Sequence, residues 1–165
     1  MYIREIETKD DKHIEKIIKS SLESVKLNLP GTAYFDPHLG QLSSYYQAQT
    51  NAKYWVVANQ HDEAVGGVGI GPFGEQHGVG ELQKLYLAPE AQGKGLAKQL
   101  MKIALTFARE NYTCCYLETF DALHAANQLY LKFGFVQLKE PLPGSDHNAC
   151  DSWYIKKWDT MVSPD

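Results

Sequence analysis

Leu82-Gln83-Lys84-Leu85-Tyr86-Leu87, then Ala88-Pro89-Glu90-Ala91, then Gln92-Gly93-Lys94-Gly95-Leu96-Ala97: residues 82–97 read as a strand, a proline stop and a glycine-rich helix start. Leu96, Leu100, Ile103 and Phe107 follow at three- and four-residue steps, the period of one face of a helix. A helix start ordinarily carries Ser, Thr, Asp or Asn as a cap and acids in its first turn. Here there are two glycines, with lysines at 94 and 98, the sign of charge that the helix macrodipole disfavours at this end. Open N–H groups, no cap and added positive charge fit together when a bound anion completes the site, a phosphate or pyrophosphate above all.

Two nucleotide patterns fail here. Gly93-x-Gly95 is followed by Lys98 where a dinucleotide loop wants glycine, and Gly93-Lys94 by Gly95 where a P-loop needs Ser or Thr for magnesium. Upstream, Gly69-Ile70-Gly71-Pro72-Phe73-Gly74 matches G-x-G-x-x-G letter for letter. Pro72 sits inside it and no helical pattern follows, so these glycines read as a strand end and turn.

Gln92, Gly95 and Ala97 do match Q/R-x-x-G-x-G/A, and the segment resembles the coenzyme A loop of the GNAT superfamily of N-acetyltransferases. A second block agrees. Ala126-Asn127-Gln128-Leu129-Tyr130-Leu131-Lys132-Phe133-Gly134-Phe135 resembles the A-x-x-x-Y-x-x-x-G-F helix-to-strand signature of that family. The resemblance covers roughly 53–136.

It implies a single α/β (α+β) domain over residues 1–165, with a mixed, mostly antiparallel central sheet flanked by helices on both faces. It implies acetyl-CoA as co-substrate, no metal, and transfer of the acetyl group to a primary amine. Gln92, Gly93, Lys94, Gly95, Leu96, Ala97 and Lys98 would hold the pyrophosphate through backbone N–H groups. Leu85, Tyr86 and Leu87 would lend backbone groups to the pantetheine arm. Tyr130 matches the tyrosine near the coenzyme A sulfur and is the candidate general acid. Glu81, four residues before Leu85, is the candidate general base, with Glu118 the second candidate base or an amine-binding carboxylate. Tyr34 and Phe35, with Asp36, Tyr45 and Tyr46, fall in the region that often lines the acceptor pocket, and read equally as a small satellite core under a loop. One position departs from the family. Seven residues before Tyr130, where an Asn often contacts the pantetheine arm, this chain has Leu123.

Composition narrows the field. The chain has 165 residues, 44% of them hydrophobic, enough for one domain with a sizeable core. No apolar run approaches the ~20 residues of a membrane span. Met1-Tyr2-Ile3-Arg4-Glu5 shows no signal-peptide core. Three cysteines, Cys114, Cys115 and Cys150, read as reduced thiols of a cytoplasmic protein. A net charge of −4 argues against a nucleic-acid partner. His147 and Cys150 make H-x-x-C, half of a zinc site with no second half. The resemblance allows a homodimer, although nothing in the sequence marks an interface.

The hydrophobic pattern orders the elements. Tyr2–Ile6 alternates as a strand, Asp10–Leu27 and Leu42–Gln49 read as helices, and Tyr54–Ala58 and Ala64–Ile70 as a hairpin. Gly80–Leu87 is a strand, Gly93–Glu110 a helix, residues 116–118 a strand, Ala122–Phe133 a helix, and Phe135–Leu138 and Ser152–Ile155 the last strands. Three functions compete: acetyl transfer to a small amine, a non-catalytic acyl-CoA sensor, and protein or peptide N-acetylation. Tyr130 together with Glu81 favours an enzyme. The Pro/aromatic loops at 30–46 and 141–150 favour a site closed over something small.

Overall fold

The computed structural model describes residues 1–158. The elements follow the order expected: β1 (Tyr2–Glu5), α1 (Asp11–Ser24), α2 (Leu42–Gln47), β2 (Lys53–Ala58), β3 (Ala64–Pro72), β4 (Val79–Leu87), α3 (Leu96–Asn111), β5 (Cys114–Thr119), α4 (His124–Lys132), β6 (Val136–Leu138) and β7 (Ser152–Lys157). All seven strands form one mixed sheet in the order β1-β2-β3-β4-β5-β7-β6. Every pair is antiparallel except β4 with β5.

The period-2 alternation of β2 divides the core in two. Tyr54 and Val56 face α1 and α2, where Ile14, Ile18, Leu22, Leu42 and Tyr46 are buried. Trp55 and Val57 face the other way, onto Leu100, Met101 and Ala104 of α3, in a cluster that also takes in Tyr130 of α4. The helices therefore flank both faces of the sheet, and residues recurring every three or four positions form each buried stripe.

Two departures from the pattern reading have local causes. α3 begins at Leu96 rather than Gly93, because Gly93 and Gly95 have φ of 73° and 77°, in the left-handed region and outside any right-handed helix. β4 holds one residue more than β3 opposite it. The register steps from Gly67↔Tyr86 to Gly69↔Gln83, and Lys84 takes up the extra length with φ of 52°. The buried Tyr54 hydroxyl donates to Lys84 O at 2.8 Å and holds this bulge. Among the described residues no helix is long and apolar enough to cross a membrane.

Leu100 is fully buried where α3 meets the sheet. Leu100→Ala is expected to cost about 2–5 kcal/mol of unfolding free energy, read as a lower denaturation midpoint at unchanged slope.

Candidate active site

β4 and β5 are hydrogen-bonded partners only over Val79, Gly80 and Glu81 against Cys114, Cys115 and Tyr116. Beyond that point β4 stays with β3 as far as Leu87, while β5 stays with β7 as far as Thr119. The sheet opens between them. A cleft of about 680 Å³ occupies the opening, lined by Glu81, Lys84 and Tyr86 of β4, Glu118 of β5, Tyr130 of α4, and His147. A second cavity, about 260 Å³, is lined by Leu87, Gly93, Gly95, Leu96, Ala97 and Lys98 together with part of α4. The last residues of β4 thus pass from one cavity to the other, Leu85 and Tyr86 lining the larger and Leu87 the smaller.

The smaller cavity has the geometry of an anion site. No side chain caps α3, whose N-cap is Gly95, and its first turn carries no acid. The N–H groups of Leu96, Ala97 and Lys98 have no acceptor within the helix. A β-carbon built on Gly93 or Gly95 would meet nothing within 4 Å, so left-handed backbone rather than crowding calls for glycine, and the space beside the loop is open. The Gln92 amide donates to Leu87 O at 3.0 Å, bracing the loop against the end of β4. Lys94 is exposed and lines neither cavity; Lys98 lines the smaller one. These groups suit a pyrophosphate.

Glu81 stands where the strands part. Burial pushes its carboxyl up to about 7; a hydrogen bond from Gln83 opposes that rise and the charge of Glu118 adds to it. Gln83 Nε2 donates to Glu81 Oε1 at 2.7 Å. Tyr130 is buried, packed against Phe135 and Tyr154, with burial raising its phenol above the ordinary range. Its ring lines the cleft, and among the described residues no hydrogen bond involves its hydroxyl.

Glu118 is differently placed. Tyr116 Oη donates to one of its oxygens at 2.9 Å and Ser145 Oγ to the other at 2.6 Å, while Leu142 N donates to the same Tyr116 hydroxyl at 3.1 Å. Its carboxylate ties residues 142–145 to β5. Leu123 lines the cleft at the N-cap of α4. Asn127 does not replace the missing family Asn. It is buried, its amide donates to Phe120 O and Leu123 O, and its oxygen accepts from Tyr154.

Two loops roof the cleft. Asp36 receives Lys84 Nζ at 2.6 Å and His147 Nε2 at 2.8 Å and 3.0 Å, joining residues 48 and 111 positions away in sequence. Ala149 N donates to Gly31 O at 3.2 Å. Phe35 and Tyr45 line the cleft with Asp36. Tyr34 does not: its hydroxyl donates to Glu23 of α1 at 2.6 Å, and Lys19 Nζ lies 5.6 Å from its ring. Cys150 lines the cleft as a thiol that burial pushes up to about 12. Among the described residues no group of three His, Cys, Asp or Glu is placed to hold a metal ion. The sequence singles out His147 only as half of a zinc pattern and in a loop closing the site, and gives no sign of Lys84, because the partner they share is distant. Gln83 was missed although its position two residues from Glu81, on the same face of a strand, could have suggested it.

Known proteins share this fold. Residues 25–135 match the acetyltransferase (GNAT) family. The chain is 36% identical over 152 residues to the uncharacterised N-acetyltransferase YjgM of Escherichia coli, covering 90% of each. An acetyltransferase of the GNAT family from Staphylococcus aureus superposes with a TM-score of 0.81 at 21% identity, over 94% of this chain and 98% of that one. The phosphinothricin acetyltransferase of Sinorhizobium meliloti, solved with acetyl-CoA, superposes with a TM-score of 0.74 at 18% identity, over 99% of this chain and 91% of that one.

The roof is sensitive to pH. Burial opposes charge on both Asp36 and His147, but their mutual hydrogen bond leaves the carboxyl below its ordinary value, an effect to which Lys84 adds, and the imidazole above its own, against the opposing charge of Lys84. A raised His147 stabilises the fold fully below the unfolded value of ~6.5, and that contribution is lost as pH rises through the folded value. The melting temperature is therefore expected to carry a component that falls from about pH 6.5 upward, and His147→Gln is expected to flatten it. A wild-type profile parallel to that of the variant would count against the pairing.

Proposed function

The chain belongs to the GNAT family of acetyltransferases, and on that premise we propose that it moves the acetyl group of acetyl-CoA to the primary amine of a small molecule. The amine attacks directly, in a ternary complex, with Glu81 as general base and Tyr130 as general acid. The observation that carries this reading is Glu81, a carboxyl pushed up to about 7 at the floor of the cleft. An alkylamine has a pKa of ~10.4 and is an ammonium at neutral pH, so it must lose a proton before it can attack. A carboxylate that is half ionised near pH 7 is suited to accept it.

As the N–C bond forms the C–S bond breaks, the sulfur takes the proton of Tyr130, and the second proton released by the attacking nitrogen restores the phenol. Burial keeps that phenol protonated at neutral pH, hence a donor. Beyond Glu81, β4 has no ladder partner on the β5 side, which leaves backbone groups of Leu85–Leu87 for the pantetheine arm. Gly93–Lys98 would cradle the pyrophosphate on open N–H groups and the Lys98 charge. The roof supports a small acceptor. Asp36, Lys84 and His147 are linked across the cleft, which would leave less room for an extended peptide than for a small amine.

Thiol release from acetyl-CoA, measured with polyamines, amino acids, aminoglycosides and short lysine peptides, tests the reading; turnover is expected with a small amine and not with the peptides. Glu81→Gln is expected to lower kcat/KM by roughly 10²–10⁴-fold and to remove the limb of the pH profile near 7. Tyr130→Phe is expected to lower kcat with KM for acetyl-CoA little changed. Profiles of both variants that track wild type would overturn the two assignments. Gly95→Ala, forcing a β-carbon into left-handed backbone, is expected to raise KM for acetyl-CoA roughly tenfold, the equivalent of about 1–2 kcal/mol of strain.

A further inference from the structure

Tyr46 Oη donates to Gln83 Oε1 at 2.6 Å, and Gln83 Nε2 donates to Glu81 Oε1 at 2.7 Å. The chain of bonds starts in α2, passes through β4 and ends in the cleft. β3 makes room for it. A β-carbon at Gly69 would lie 2.5 Å from the Tyr46 hydroxyl, and one at Gly71 would lie 3.2 Å from Gln83 Oε1. Gly69 is opposite Gln83 in register, and Gly71 opposite Glu81. These are the first two glycines of the G-x-G-x-x-G match, and both lie in β3. Resting on the reading of Glu81 as base, we propose that Gln83, oriented by Tyr46 in the space left by Gly69 and Gly71, is the residue that positions the Glu81 carboxylate for proton transfer.

Tyr46 is fully buried among Tyr45, Tyr54 and the sheet, and burial holds its phenol far above the ordinary range, so it always has a proton to donate. That donation fixes the Gln83 amide with its oxygen toward Tyr46 and its NH₂ toward Glu81. An amide turned this way serves the ionised carboxylate and opposes the effect of burial. Other charges act on Glu81 from the elements around it: Glu118 of β5 raises it, and His147 of the roof and Lys84 of β4 lower it. The charge of Glu81 itself raises the neutral thiols and phenols that face it, Cys115 and Tyr116 of β5, Tyr45 and Tyr46 of α2 and Cys150 of the roof. Gln83 is the one that bonds the carboxylate directly among the described residues.

The test is kcat/KM against pH for the full chain, with acetyl-CoA and an amine that supports turnover. Gln83→Met keeps length and removes the donor. It is expected to move the acid limb up by ~1 pH unit, about a tenfold loss below the limb, while the plateau above it stays within threefold of wild type. Tyr46→Phe is expected to move it the same way by less. Gln83→Glu, nearly isosteric and able to keep the Tyr46 bond, is expected to move it further, since a second carboxylate then faces Glu81. In a Glu81→Gln background, Gln83→Met is expected to change nothing more. A limb that stays in place in Gln83→Met and Gln83→Glu, or a uniform loss at every pH, would overturn the proposal. If Glu81→Gln itself keeps the limb, the base assignment fails instead.

Discussion

Three residue pairs join β4 to β5, and the rest of the molecule is arranged around the point where that pairing stops. Among the described residues the only parallel junction in the sheet comes at Val79–Glu81, and parallel strands need a long crossover between them. α3 provides it. Its N-terminus must then lie near the end of β4, where Leu87 and the glycine loop share a cavity. Because β5 turns to β7 and β4 keeps to β3, the opening has Glu81 at its apex, Tyr130 and Glu118 on its walls, and unpaired backbone along one edge. On the proposed reading, binding and chemistry both depend on a sheet that fails to close.

Burial gives the site its reactivity. A carboxyl at the apex is poorly solvated, and that burial pushes Glu81 up to about 7. Glu118 lies in the same cleft, but its two oxygens are taken by Tyr116 and Ser145. Two carboxylates of one cleft thus have different surroundings, set by what donates to them. The roof uses a third, Asp36, to hold Lys84 and His147 together. Lys84 reaches it from a bulged, left-handed position that Tyr54 supports from below, so the irregularity in β4 also shapes the upper wall of the cleft.

The order of elements was legible because each has a clear period. Ile14, Ile18 and Leu22 mark α1, and the apolar runs of β2 and β3 mark a hairpin. The glycine loop was legible because its cap chemistry is wrong for an ordinary helix. What was not legible came from long-range geometry. Tyr34 and Phe35 are adjacent in sequence, yet one faces Glu23 of α1 and the other the cleft, because the chain turns through a short 3₁₀ segment at Ala33–Phe35. Asp36, Lys84 and His147 meet through pairings across 48 and 111 residues that no local pattern encodes. The bulge at Lys84 is equally silent, since nothing about a lysine announces positive φ.

The cradle at the start of α3 is made of main chain. Its donors are amide N–H groups, which every residue except proline possesses, and its shape depends on two glycines whose missing β-carbons face open space. Exposed positions such as Lys94 can accordingly drift in sequence without dismantling it. The acceptor side, on the proposed reading, is built the opposite way, from side chains on separate loops, each of which would alter the cleft when it changes. One half of the site is thus buffered against mutation and the other exposed to it, so a lineage can exchange acceptors while its hold on the donor persists.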